Sequence, residues 1–254
     1  MSIPELRVAD NSIQHTFKER NKKICIAIDV PSFDLTADLN IWIQIEPKSI
    51  RNSFDFIKKY YNYYDLILAW DKQILNFCPN SKRFIFGDCW IDISNFNAKK
   101  TNNISFLMSN KQHTLGHRLR HQIFDYLQTI NNANYSILSI QTPPRINNKD
   151  IIFVSSKYSI IVENEKEPNW ITEKLIDCLV TKTIPIYWGA PNIEEFFDMR
   201  GILVFDTLEE LKYILDNINM LEYDTLEDTI NFNKKEALKY ANFFDRIEKE
   251  IDLL

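Results

Sequence analysis

Short apolar runs alternate with helical patterns along most of this chain. Residues 40–46, NIWIQIE, place isoleucines at every second position, which is typical of a strand. Residues 23–29, KICIAID, are also predicted to form a strand. Residues 64–70, YDLILAW, form a short apolar run, as strands do when helices cover both faces of a parallel sheet. A helix capped by Ser49 is expected over about residues 50–61. The alternation predicts an α/β fold with parallel strands.

The same alternation resumes after the polar stretch NFNAKKTNN at residues 95–103, which has the composition of a linker. We therefore predict an N-terminal domain over residues 1–100 and a C-terminal domain over 101–254 that includes the C-terminal helix. Each would be a doubly wound, Rossmann-like sheet with its ligand site at the carboxyl ends of the strands. The second half is predicted to contain strands at 104–109, 135–140, 158–163, 184–188 and 201–205, and helices at about 114–130, 171–182, 207–219 and 225–250.

Composition excludes several classes of function. The 254 residues are 45% hydrophobic, enough for a sizeable core. The net charge is −5 and the lysines are scattered, so no broad basic surface for nucleic acid is expected. The four glycines lie too far apart for a G-x-G-x-x-G motif or a P-loop. Dinucleotide dehydrogenases and P-loop kinases are therefore disfavoured.

The four cysteines form no C-x-x-C pair and lie mostly in apolar runs, which favours free thiols in a reducing compartment. The first residues lack the charged and apolar regions of a signal peptide, and no run approaches 18 apolar residues. We expect a cytoplasmic protein without a membrane span.

Residues 169–192, NWITEKLIDCLVTKTIPIYWGAPN, place an acid and a base at the start of a predicted helix. Asn169 could cap this helix, whose first amides and dipole favour an anion. Lys174 could then hold a phosphate, and the carboxylate of Glu173 suits ribose hydroxyls. A solvated pair without any ligand is equally compatible with the helical pattern.

A second candidate anion site lies in TLGHRLRHQIFDYL, residues 114–127, where four basic side chains crowd the first helical turns: His117, Arg118, Arg120 and His121. The two histidines have the spacing of zinc ligands, but the intervening arginines would repel a cation. Phosphate suits guanidinium geometry better. A basic exposed face is the alternative. No D-x-D motif occurs, and the alternating acids at 163, 165 and 167 are interpreted as a solvated strand edge.

Residues 162–192 closely resemble the donor-binding motif of family-10 glycosyltransferases, the α-1,3-fucosyltransferases, over about 30 positions without a gap. That resemblance implies the GT-B fold, in which two Rossmann-like domains face a cleft, and inversion at the anomeric carbon with GDP-fucose as donor. It makes Asn164 and Glu173 ribose contacts and Lys174 a diphosphate contact. Trp170 stands where the family motif usually has Tyr; indole has only an N–H donor, so stacking or packing at the nucleotide is the role implied.

The segment RHQIFDYL is similar to the R-x-x-F-x-x-x-L helix of the same family, whose arginine binds the donor diphosphate. The resemblance therefore assigns Arg120 to the donor, with Arg118 as a second candidate.

Glu46 lies at the predicted end of a strand, immediately before Pro47, where α/β domains place catalytic groups. By position alone, a solvated carboxylate is the more frequent situation. The segments IQIEPKSI and YDLILAWDKQIL resemble the acceptor domain of the family more loosely, and this resemblance makes Glu46 the general base.

The predicted function is that of an inverting fucosyltransferase that transfers fucose from GDP-fucose to a glycan hydroxyl, with neither cofactor nor metal. Two alternatives remain: the same fold with a different nucleotide sugar, and a nucleotide- or glycan-binding module that has lost catalysis.

Overall fold

The computed structural model describes residues 7–8, 22–92, 99–130, 137–142, 150–218 and 223–254. The described residues form two compact units. Unit 1 is drawn from Met1–Phe86, Pro168–Trp170 and Phe243–Leu254, and unit 2 from Gly87–Glu167 and Ile171–Asn242.

This division differs from the predicted boundary near residue 100. The N-terminal segment of unit 1 ends at Phe86, and Gly87 already belongs to unit 2. Of the predicted linker at 95–103, residues 95–98 lie outside the described residues. The C-terminal segment also returns to unit 1, whereas the sequence pattern had assigned it to the second domain.

Unit 1 contains one five-stranded parallel sheet with strand order β1-β2-β3-β4-β5. The strands and the two helices that follow β3 and β4 are β1 (Arg7–Val8), β2 (Ile24–Ile28), β3 (Leu39–Ile43), α1 (Phe54–Tyr60), β4 (Leu66–Ala69), α2 (Lys72–Phe77) and β5 (Ser81–Arg83). The predicted strands in this half are confirmed, although β3 ends at Ile43, three residues before Glu46. Ser53, not Ser49, is the N-cap residue of α1.

The C-terminal helix α8 (Phe243–Ile251) completes the core of unit 1. Phe243, Ile247 and Ile251 recur at intervals of four residues, so they lie on one helical face, and all three are buried against the sheet. The single helix predicted over 225–250 is wrong, because a turn at residues 239–242 separates α8 from the preceding helix.

Unit 2 contains a second five-stranded parallel sheet with strand order β10-β9-β8-β6-β7. Its elements are β6 (Asn102–Ser109), α3 (Leu115–Thr129), β7 (Ile137–Thr142), α4 (Asp150–Val154), β8 (Ser156–Val162), α5 (Glu173–Val180), β9 (Ile184–Trp188), β10 (Leu203–Val204), α6 (Leu208–Asn217) and α7 (Glu227–Leu238). Strands and helices alternate as expected. The α/β prediction is confirmed in both units.

The apolar face predicted for α3 is confirmed in its second half. Ile123 and Leu127 are buried in the core of unit 2, and Leu119 is partly buried there, but Leu115 is 55% exposed. In the first turn of α3 the buried residues are Gly116 and His117 instead of Leu115.

None of the helices in the described part of the chain is both long and apolar enough to cross a bilayer.

Candidate functional site

Helix α3 begins against the carboxyl end of β8. The amide of Gly116 donates to the carbonyl oxygen of Asn164 at 2.9 Å. A Cβ atom added at Gly116 would lie 1.7 Å from the carbonyl oxygen of Glu163 and 2.9 Å from that of Asn164. Only glycine permits this backbone approach, which brings the first turns of α3 to the residues that follow β8.

We expect Gly116→Ala to lower the free energy of unfolding. The added methyl group meets backbone atoms, so α3 must move, and such overpacking typically destabilises by about 1–3 kcal/mol. Gly201→Ala is a matched control, because its Cβ would meet only side-chain atoms, of Asn233 and Thr229, both at 2.9 Å. Thermal unfolding of both variants checks this. A melting temperature of Gly116→Ala equal to that of the parent would contradict it.

Arg120 is buried at this junction and is held by the end of β8. Nε donates to the carbonyl oxygen of Val162 at 3.0 Å, and Nη2 donates to the same oxygen and to Oδ1 of Asn164, the latter at 2.9 Å. Burial lowers the pKa of Arg120 to about 10, so the guanidinium is charged at neutral pH. Nη1 has no hydrogen-bond partner among the described residues. Arg120 is therefore a fixed cation, and its Nη1 is left as a hydrogen-bond donor.

The two predicted arginines of α3 differ in environment. Arg118 is exposed, and its side chain makes no hydrogen bond or ion pair with any residue that the structure describes. Arg120 is only 6% exposed. Two positions apart, the two side chains lie on different sides of α3, so the structure brings Arg120, and not Arg118, together with the end of β8.

His117 takes part in capping the N-terminus of α3. Thr114 is the N-cap residue, and its backbone N–H donates to Nδ1 of His117 at 3.2 Å, which forms a capping box. Nδ1 is thus an acceptor, and the neutral ring carries its proton on Nε2. Burial, reinforced by the charges of Arg120, Lys111 and Lys174, lowers the pKa of His117 to about 4. At neutral pH His117 is an uncharged donor beside two cations.

We expect His117→Gln to reduce the sensitivity of the protein to acid. Gln is a usual partner in a capping box and can accept the same backbone N–H. The histidine pKa of about 4 in the folded state lies below its ordinary 6.5, so the unfolded state binds the proton more readily. The stability of the parent therefore falls as pH falls from about 6.5 to 4, and this contribution is absent from the variant.

The melting temperatures of the two proteins, measured over that pH range, test this expectation. The difference should grow by several degrees in favour of the variant as the pH falls. A difference that does not change with pH would show that His117 titrates normally.

Helix α5 begins directly beside a buried carboxylate. Thr172 is its N-cap residue; its backbone N–H donates to Oε1 of Glu163 at 3.0 Å, and its hydroxyl donates to Oε2 at 2.7 Å. The sequence pattern had assigned the N-cap to Asn169. Asn169 instead lies three residues earlier with a φ of 66°.

Lys174 is the cation of this helix start. Nζ lies 3.0 Å from Oε1 of Glu173, 3.1 Å from the hydroxyl of Thr172 and 3.7 Å from Oε2 of Glu163. Burial alone would lower the pKa of Lys174, but the carboxylates of Glu173 and Glu163 outweigh burial and raise it. Its side chain as a whole remains 28% exposed.

Glu163 is the residue of this site that the sequence interpretation missed. It was grouped with the acids at 165 and 167 as a solvated edge, yet its side chain is fully buried. Burial raises its pKa, while Lys174 and the hydrogen bonds from Thr172 oppose that rise. The sequence feature that could have indicated its burial is its position directly after an apolar strand, because the sheet can still bury the residue that follows such a strand. Glu163 thus holds both Thr172 and Lys174.

Trp170 lies in unit 1, so the predicted donor-binding set is divided between the two units. The side chain is only 2% exposed, and its indole N–H donates to the carbonyl oxygen of Ile45 at 2.9 Å. Its ring centroid lies 6.2 Å from that of Trp70. The sole polar side-chain atom of Trp170 is therefore used within unit 1, and its stacking or packing at the nucleotide stays a prediction.

Glu46 is half-buried and follows β3 at the carboxyl edge of the sheet in unit 1. Its backbone N–H donates to Oδ2 of Asp29 at 2.9 Å. Asp29 directly follows β2, the neighbour of β3. Because the strands are parallel, their carboxyl ends meet at one edge, which is where ligands of such sheets bind.

Across the described ranges, no three His, Cys, Asp or Glu side chains cluster in a way that could hold a metal ion. The two histidines with zinc-like spacing use ring nitrogens elsewhere: Nδ1 of His117 pairs with Thr114, and Nε2 of His121 lies 3.2 Å from the carbonyl oxygen of Lys111.

Among known proteins, this chain resembles fucosyltransferases in sequence. It is 30% identical over 78 residues to the α-(1,3)-fucosyltransferase FucT of Helicobacter pylori, a match that covers 31% of this chain and 16% of that protein. It is 28% identical over 98 residues to a putative fucosyltransferase-like protein of Arabidopsis thaliana, covering 38% and 18%. The matched part is thus less than a fifth of either curated relative.

The fold resembles that of solved glycosyltransferases. An α1,3-fucosyltransferase crystallised with GDP-fucose superposes with a TM-score of 0.55 at 16% identity, covering 89% of this chain and 77% of that one. TarM superposes with a TM-score of 0.57 at 11% identity, covering 91% and 54%. These similarities confirm the predicted GT-B type of fold.

Residues 97–251, more than half of the chain, match the C-terminal region of glycosyltransferase family 10 (fucosyltransferase). The match contains the buried junction of Arg120, Asn164, Glu173 and Lys174. The chain therefore belongs to glycosyltransferase family 10.

Proposed function

We propose that this protein is an inverting fucosyltransferase that transfers fucose from GDP-fucose to a glycan hydroxyl without a metal ion. The observation that carries the proposal is the pair of cations, Arg120 and Lys174, fixed at the carboxyl edge of the sheet in unit 2. Both lie within the region that matches the family. The solved relative with GDP-fucose has the same fold and binds that donor.

The diphosphate would be bound by Arg120 and Lys174. Nη1 of Arg120 has no partner among the described residues, and the side chain of Lys174 is 28% exposed. The first amides of α5 and its dipole add favourable potential for an anion. Two positive charges and a helix start replace the neutralisation that a divalent cation supplies in other transferases.

The ribose would be bound by Glu173 and Asn164. Oδ1 of Asn164 is occupied by Arg120, but Nδ2 has no hydrogen-bond partner in the described part of the chain. Nδ2 can donate to a ribose oxygen, and the carboxylate of Glu173 can accept from a hydroxyl. Nε2–H of neutral His117, beside the two cations, would offer the donor one more hydrogen bond.

The transfer itself needs one base and a stabilised leaving group. Glu46 would accept the proton of the acceptor hydroxyl while that oxygen forms a bond to the anomeric carbon. The bond from the anomeric carbon to the phosphate oxygen breaks, and its electron pair leaves on GDP. Arg120 and Lys174 would stabilise the developing charge. Direct displacement of this kind inverts the anomeric centre.

The cytoplasm is the compartment that we propose for the protein. Cys25, Cys78 and Cys178 are buried free thiols, and Cys89 is a half-buried one. Burial raises the pKa of Cys89 to about 12, so its thiol stays protonated and unreactive at neutral pH.

A panel of nucleotide sugars tests the proposed function. Calorimetric titrations with GDP-, UDP- and dTDP-sugars, followed by transfer assays on glycan acceptors in EDTA, should show selective binding and turnover of GDP-fucose. Preference for another nucleotide sugar would favour the same fold with a different donor. Tight binding of GDP-fucose without turnover on any acceptor would indicate a binding module. Activity that EDTA abolishes would overturn the metal-free mechanism.

A further inference from the structure

Asp29 holds the segment that carries Glu46. Its carboxylate accepts two successive backbone N–H groups, from Ile45 and from Glu46, each at 2.9 Å. Its own N–H donates to the carbonyl oxygen of Ile43 at 2.9 Å, and its carbonyl oxygen accepts from Arg51 at 3.3 Å. The side chain of Asp29 thus fixes the amide of the predicted base and the amide of the residue before it.

The carbonyl group between those amides is fixed as well. The carbonyl oxygen of Ile45 accepts from the indole of Trp70 at 3.1 Å and from that of Trp170 at 2.9 Å. Both tryptophans are buried. Asn169 donates to the carbonyl oxygen of Trp70 at 3.1 Å, which joins the two tryptophan segments. The backbone at Ile45 is therefore held by hydrogen bonds at N–H and C=O alike.

Two features of Asp29 are unfavourable: its backbone conformation and the burial of its carboxyl group. Asp29 has a φ of 53°, a left-handed conformation that disfavours most side chains. Burial, opposed by the two amides, raises the pKa of Asp29 to about 7; Glu46 raises it further and Arg51 lowers it. The stability associated with a protonated Asp29 is therefore lost as pH rises from about 4 to 7. Left-handed backbone conformations and buried carboxylates with raised pKa values are both more frequent at functional sites.

We infer that Asp29, Trp70 and Trp170 are positioning residues that fix the backbone of Glu46 for proton transfer. The inference rests on the proposed function and assigns Trp170 to the base-bearing segment instead of the nucleotide. Such residues touch neither the donor nor the acceptor. Their loss would displace Glu46, and a displacement of about 1 Å can lower turnover by roughly 10²-fold.

Asp29→Asn is the first test. Asn has the same shape and keeps one acceptor, but its NH₂ group cannot accept the second amide. We expect kcat to fall by about tenfold or more, with the Kd for GDP unchanged. Asp65→Asn is the control, because Asp65 accepts a single amide, that of Asn40, at 2.7 Å beside the amino ends of β3 and β4. That control should keep normal turnover.

A double variant separates positioning from general stability. If Asp29 acts only through Glu46, then Asp29→Asn adds no further loss of kcat to Glu46→Gln, whereas independent structural damage would add its full factor. The melting temperature of Asp29→Asn relative to the parent should also rise as pH goes from about 4 to 7. Additive losses in the double variant would overturn the inference.

Trp170→Phe is the second test, since it keeps most of the ring and removes the N–H. We expect kcat to fall and the Kd for GDP to stay the same. A Kd that rises tenfold with kcat unchanged would place Trp170 at the nucleotide and overturn its positioning role.

Normal turnover in Glu46→Gln would show that Glu46 is not the general base. It would therefore also overturn the positioning roles of Asp29, Trp70 and Trp170. Impaired turnover in Glu46→Gln together with normal turnover in Asp29→Asn and Trp170→Phe refutes only the positioning scheme.

Discussion

Glu46→Gln is expected to lower turnover by about 10²-fold or more, the usual scale for loss of a general base. The amide has nearly the shape of the carboxylate but cannot take the acceptor proton. The backbone of Glu46 should stay in place, because its N–H still donates to Asp29. The Kd for GDP should not change, since the proposed donor contacts lie in unit 2.

Steady-state kinetics with GDP-fucose and a glycan acceptor, together with calorimetric titration of GDP, measure the two quantities separately. Glu194→Gln, at an exposed position in unit 2, is the control for loss of one carboxylate and should have normal turnover. Turnover of Glu46→Gln within a few-fold of the parent would remove Glu46 from the mechanism.

Lys174→Ala is expected to weaken nucleotide binding by about 10- to 150-fold. That range corresponds to loss of one charge-assisted hydrogen bond, roughly 1.5–3 kcal/mol. Lys166→Ala is a matched control, because the side chains of Lys166 and Lys174 are 31% and 28% exposed and Lys166 pairs with Asp206. The control should bind GDP normally.

Lys174→Ala should also lower stability, because it removes the cation nearest to the buried carboxylate of Glu163. Adding Glu163→Gln removes the uncompensated charge, so the double variant should regain stability without regaining affinity for GDP. Thermal unfolding and calorimetry distinguish the two effects. If Glu163→Gln restored GDP binding as well, Lys174 would serve only to neutralise Glu163.

Hydrophobic periodicity predicted the strands and helices well where a segment is buried on one consistent face. The strand at residues 184–188 begins and ends as expected, because a fully apolar run between turn residues has little alternative to a buried strand. The helix over 225–250 failed for the opposite reason. Its amphipathic pattern continues across the turn at 239–242, and only the packing of α8 in unit 1 shows where the chain breaks.

The motif residues were predicted by resemblance, and their surroundings were not. Arg120, Asn164 and Lys174 could be named from the sequence, but nothing local indicates that Arg120 and Asn164, 44 residues apart, are hydrogen-bonded. Glu163 was missed because alternating acids look solvated unless the neighbouring segment is known. Trp170 was assigned to the nucleotide because the motif is continuous in sequence, whereas the chain passes between units within it.

The sequence by itself determined the α/β class, the family and the basic and acidic residues of the donor motif, because periodicity and a gap-free motif are local properties. The tertiary structure decided which of those side chains are buried, which of their hydrogen-bond donor groups remain available and to which unit each residue belongs. Those properties depend on contacts between distant segments: Gly116 against Glu163, and Asp29 and Trp170 against Ile45. Such contacts leave no periodic signal along the chain, so only the folded structure shows them.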